Sequence, residues 1–105
     1  MPKFLAQGTY TFDGIQLLVN QGGTARRGAV EKAVNALGGK VEAFYFAFGE
    51  HDIYAIVDAP DNVTAAALSL GIGASGVGGI RTTVLLTPEE IDQAAGKALK
   101  YPGAT

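Results

Sequence analysis

The stretch Tyr45 to Asp61, YFAFGEHDIYAIVDAPD, constrains the fold more than any other part of the chain. It reads as two apolar strands joined by Gly49-Glu50-His51-Asp52, and Pro60-Asp61 then launches a helix. A tight hairpin that opposes residues 48 and 53 also pairs 46 with 55, 45 with 56, 44 with 57 and 43 with 58. Phe44, Phe46, Phe48, Ile53, Ala55 and Val57 then share one face, and Ala43, Tyr45, Ala47, Tyr54, Ile56 and Asp58 the other. A sheet covered by helices on one side should be polar on the other. Here the second face is still largely apolar, so a second subunit is expected against it.

The rest of the chain supplies the partners for that hairpin. Lys3 to Phe12 alternates Phe4, Ala6, Gly8, Tyr10 with Leu5, Gln7, Thr9, Thr11, the period of a strand, and its small middle residues let a helix lie close. Asp13-Gly14 turns the chain, and IQLLVN forms a short helical turn before Gly22-Gly23. Thr24 caps a helix over Ala25 to Leu37, with Val30, Ala33, Val34 and Leu37 on one stripe and Arg26, Arg27, Glu31 and Lys32 on the wet side. Asp61 or Asn62 caps a second helix to about Leu70. A glycine-dense connection, 71–79, leads to a fourth strand, Ile80 to Leu86. Thr87-Pro88-Glu89-Glu90 combines a Thr cap, Pro at the first helical position and a capping-box Glu, and starts a last helix to about Lys100. The order β-α-β-β-α-β with an added helix is the split βαβ arrangement, an α+β domain over 1–100 with a flexible tail over 101–105.

A chain of 105 residues is one domain. Cysteine is absent, which excludes thiol catalysis, disulfides and thiolate metal sites, and a cytoplasmic location is expected. Eight Lys/Arg against ten Asp/Glu, with no basic block beyond Arg26-Arg27, argue against nucleic-acid binding. The longest nearly uncharged run, Gly14 to Ala25, holds Gln16, Asn20 and Gln21, so no membrane partner is expected.

LGGK at 37–40, AFYFAFGEHDIYAIVDAPD at 43–61 and IRTTVLL at 80–86, in this order and spacing, resemble the GYD domain family over roughly Pro2 to Ile91. The family's name motif reads Gly49-Glu50-His51-Asp52 here. The resemblance implies a ferredoxin-like domain assembling as a dimeric α+β barrel, in which two sheets close on each other with helices outside. Superfamily relatives include cofactor-free monooxygenases, muconolactone isomerases, haem-binding enzymes and ligand-sensing domains, and fold alone does not choose among them.

Several residues carry candidate chemistry. Gly71-x-Gly73-x-x-Gly76 matches a dinucleotide fingerprint in letters, but a helix precedes and a strand follows it, the reverse of what pyrophosphate binding needs. It is read as a flexible connection or a lid. His51, beside Glu50 and Asp52, is the only imidazole; one His on a hairpin tip builds no closed metal site, so no metal is expected and Asp52 is read as bonding local backbone. Asp58 and Arg81 fall on the open face, where they either pair within or between subunits or, with Tyr45 and Tyr54, hold and protonate an acidic ligand. The leading expectation is a homo-oligomer that binds a small organic molecule without a cofactor, in a cleft lined by Tyr10, Phe46 and Phe48 and closed by Gly73 and Gly76. The alternatives are a cofactor-independent isomerase or monooxygenase using Asp58, Arg81, Tyr45, Tyr54 or His51, and a purely structural assembly role.

Overall fold

The computed structural model describes residues 1–103. Its elements run β1 (Lys3–Tyr10), α1 (Phe12–Gln21), α2 (Gly23–Ala36), β2 (Lys40–Phe46), β3 (Ile53–Asp58), α3 (Asn62–Ser75), β4 (Gly78–Leu85) and α4 (Pro88–Lys97). The four strands form one antiparallel sheet in the order β2-β3-β1-β4. That is an α+β fold with an added C-terminal helix, as the element order predicts.

Barrel closure is not found. β2 and β4 are the edges of an open sheet, and no strand among the described residues joins them. Closing a barrel takes about eight strands, and this chain supplies four.

The hairpin keeps the expected faces but not the expected register. Phe46 opposes Ile53, Tyr45 opposes Tyr54 and Phe44 opposes Ala55, a slip of two residues from the tight-hairpin pairing, with an irregularity between Val41 and Ala43. Because side chains alternate with period two, a slip of two leaves intact the face of every residue that stays in the strands. Residues 47–52 become a loop, and Phe48, expected on the helix-covered face, is fully exposed. The reason is Asp52. Its carboxylate accepts the Tyr10 N–H at 2.8 Å, its own N–H donates to the Gly8 carbonyl at 2.8 Å, and its carbonyl accepts the Ala47 N–H at 2.8 Å. Two of these bonds tie the loop to the end of β1 and the third closes the loop on itself, and together they outweigh a two-residue turn.

Helices cover one face only. Val34 of α2 packs with Ala55 and Val57, flanked by Val30, Phe44 and Leu68, while Phe4 packs with Ala59 and Ala65. α1 is a full helix and not a single turn. The Thr11 hydroxyl caps it by accepting the Gly14 N–H at 3.2 Å and donates to the Gly76 carbonyl at 2.6 Å. α2 starts at Gly23 without a side-chain cap, so Thr24 does not play the capping role expected of it. Asp61 caps α3, accepting the Thr64 N–H at 2.8 Å, and α3 runs past Leu70 to Ser75, where Gly76 ends it in the left-handed conformation. The supposed flexible stretch is therefore mostly helix. The Thr87 capping box forms as expected, but α4 buries none of its residues. Residues 101–103 are exposed and irregular, and the remainder of the expected tail, 104 and 105, lies outside the described residues.

Gly14 is buried where α1 crosses the end of the sheet, and a Cβ there would collide with the Val77 carbonyl and approach the Tyr10 ring to 2.7 Å. Gly14→Ala is expected to destabilise the fold by about 1–3 kcal/mol. Gly28→Ala, in α2 with open space around it, is expected to stabilise by about 0.5–1 kcal/mol. Urea denaturation of the two variants checks this opposition in sign.

Candidate functional site

The sheet's covered face is thin at its centre. Ala6 and Gly8 of β1 carry almost no side chain, and their neighbours across the sheet are Ala55 and Ile53 on one side and Thr82 and Ile80 on the other. Helices α2 and α3 bridge this hollow and leave a cavity of about 70 Å³. On the same measure a single water needs about 10–15 Å³, so the cavity takes a molecule of several non-hydrogen atoms.

Its floor is Ala6, Gly8, Phe44, Ile53 and Ile80, and its roof is Val30, Leu68 and Ile72. Tyr10 and Arg26, which lie beside each other, join this apolar wall, and Thr9 is the other polar residue in the lining. A second void of about 20 Å³, beside Phe4, Val34 and Ala65, has no charged group in its lining.

Arg26 is held from outside by Gln21, whose amide oxygen accepts from Nη1 at 3.2 Å. Its Nε is buried and has no hydrogen-bond partner among the described residues. A buried donor without a partner costs about 1–3 kcal/mol, and more when charged. Tyr10 is held through its backbone by Asp52. Burial pushes its phenol above the ordinary value of 10.0; the Arg26 guanidinium draws it part of the way back, and the Asp52 carboxylate adds to the rise. The phenol therefore keeps its proton at neutral pH.

The residues singled out from sequence are not brought together here. Tyr10 lines the cavity, whereas Phe46 lies beside the start of α2, with its ring 3.0 Å from where a Gly23 Cβ would be and edge-on to Phe44 at 5.2 Å between centroids. Phe48 points to solvent. Gly73 and Gly76 do not line the cavity; Ile72 and Val77 beside them do.

On the open face, Asp58 and Arg81 do not meet. Asp58 opposes Lys3 on β1 while Arg81 opposes Gln7, four residues further along that strand. Lys3 Nζ donates to Asp58 at 2.8 Å and to Glu42 at 3.0 Å, and these bonds, Asp58 first, hold the ammonium above its ordinary value. Tyr45 is 71% exposed. His51 Nδ1 lies 3.1 Å from the Thr9 hydroxyl, and its ring stands edge-on to Tyr54 at 5.8 Å. Among the described residues no group of three or more His, Asp or Glu is placed to hold a metal ion. No helix among them is long and apolar enough to cross a membrane.

A family model described as the GYD domain matches residues 4–95, most of the chain. The chain belongs to the GYD domain family. No curated protein and no solved structure matches it. The loop carrying the GYD name motif is the one that Asp52 fastens to β1, so in this GYD domain the motif's acidic residue positions Tyr10 at the cavity.

Sequence reasoning set Arg26 with Arg27 on the wet side of α2, where the structure has it lining the cavity, and it missed most of the hydrophobic lining. The signal for Arg26 was present: it precedes Val30 by four residues and so continues the apolar stripe of α2. Arg27, its neighbour, is the solvated one, at 3.5 Å from Glu31.

Because the folded-state pKa of Tyr10 is raised, its neutral phenol contributes stability that is fully present below about pH 10 and is lost as pH climbs through the folded value. Tyrosinate absorbance during an alkaline titration is expected to show one late-ionising phenol, and Tyr10→Phe should remove that late step.

Proposed function

We propose that this GYD domain binds a small organic molecule in the cavity between its sheet and its helices. The observation that carries this reading is an apolar hollow, roofed by two helices, with Tyr10 and a buried unpartnered Arg26 Nε beside each other in its lining. Apolar walls with a few convergent polar groups are the usual form of a small-molecule site. Binding is favoured over a reaction through Asp58, Arg81, Tyr45, Tyr54 or His51, because those side chains lie outside the cavity lining and Asp58 is occupied by Lys3.

The same reading includes self-association in a cytoplasmic setting. The chain exposes 7199 Å², whereas a compact monomer of 10.8 kDa should expose about 5,500 Å². The excess, roughly 1,700 Å², is on the scale of what one subunit buries in a large permanent interface. Its radius of gyration of 16.6 Å likewise exceeds the roughly 13 Å of a compact chain this long. Leu5, Tyr54 and Ile56 on the uncovered sheet face, with α4, are the surfaces available to a second copy.

Two measurements test this. Small aromatic and branched aliphatic compounds are expected to raise the melting temperature of the wild type, since a ligand that prefers the folded state stabilises it by mass action. Val30→Phe, which fills the cavity, should remove that response while leaving the fold. Native mass spectrometry is expected to give a multiple of the chain mass, and Ile56→Glu should reduce it to a single chain; a stable wild-type monomer would end the self-association reading.

A further inference from the structure

Helix α2 presents Val30 and Val34 to the sheet, and Arg26 stands one turn before Val30 on the same line. Arg26 is half-buried, with its Nε edge out of water, and a charged donor shielded in this way favours an anion because leaving it unpaired is costly. None of the described residues supplies one. The ion pairs among the described residues engage Lys3 and Arg27, and the groups beside Arg26 are neutral, the Gln21 amide on Nη1 and the Tyr10 phenol. Asp52, the acidic residue beside Tyr10, is committed to the Tyr10 backbone and forms no ion pair with Arg26. What remains is a buried Nε donor in the wall of an apolar cavity, with a phenol next to it and no carboxylate in the lining.

We infer that the cavity takes a small monocarboxylic acid with an apolar body. Its carboxylate sits on Arg26 and accepts from the Tyr10 hydroxyl, and its hydrocarbon or aromatic part lies against Ala6, Phe44, Leu68 and Ile72. This names the ligand class for the site proposed above and rests on that reading. A phosphate ester fits worse. It brings nearly two charges and three strong acceptor oxygens at neutral pH, against one guanidinium here, since Arg27 is directed to Glu31. A neutral ligand fits worse as well, because it leaves Arg26 Nε without its counter-charge.

The test is a nuclear magnetic resonance titration of the full-length, isotope-labelled chain with two acids, benzoate and isovalerate, each set against its uncharged amide. Saturable shifts are expected for at least one acid at the backbone amides of Gly8, Tyr10, Ile72 and Gly78, with affinity about tenfold or more above that of the matching amide. Arg26→Met should bring acid and amide to equal affinity. Amides that bind at these positions as tightly as the acids would overturn the acid inference while leaving the cavity as a ligand site. No saturable shift from any of the four compounds would remove both. Acid-induced shifts confined to surface lysines such as Lys40 and Lys97 would mark adventitious ion pairing and also overturn the inference. If Arg26→Met does not fold, the comparison of acid with amide on the wild type decides by itself.

Discussion

The middle of β1 has almost no side chain on its covered face, and the architecture follows from that. Ala6 and Gly8 let β3 and β4 bring Ile53, Ala55 and Ile80 around a shallow centre. Helices α2 and α3 rest on the taller residues at the margins, Phe44, Val57 and Phe4 among them, and span the gap. Close packing ordinarily leaves few voids larger than water in a small domain. Here the void is created by residue choice at the strand that both halves of the sheet share.

Polar groups are distributed with the same economy. The uncovered sheet face holds a compact charge cluster, Lys3 with Asp58 and Glu42, whose members satisfy one another. Surface ion pairs of this kind contribute little to stability, about 0–1 kcal/mol at most sites. The covered face holds a single guanidinium without a counter-charge. Asp52 links the two settings: through the Tyr10 N–H and the Gly8 carbonyl it fixes the end of β1, and Tyr10 is thereby aimed at the cavity from the covered side.

The core is thin. The buried hydrophobic residues are Phe4, Val34, Ala55, Val57, Ala59 and Ala65, most of them small. α4, with a well-formed capping box and no buried residue, is a helix stabilised locally and left without tertiary contacts of weight. Isolated helices of this length are marginal in water, which makes its persistence a reason to look for a second surface that receives it.

Element order, the cap at Asp61, the capping box at Thr87 and the faces of the residues within the two hairpin strands were legible in the sequence, because period-two alternation and capping chemistry act over a few residues. The hairpin register was not, since Asp52 chooses it by bonding to Tyr10 and Gly8, some forty residues away in sequence. Nor was the partner of Asp58, which is Lys3 and not Arg81, because strand order decides who stands opposite whom. Arg26 was readable in part: helical spacing puts it on the stripe of Val30, yet only the packed structure reveals that its Nε is buried beside an apolar void. The sequence by itself determined the α+β class and the faces of the strands; the open sheet, the register and the cavity were decided by long-range contacts that local patterns do not encode.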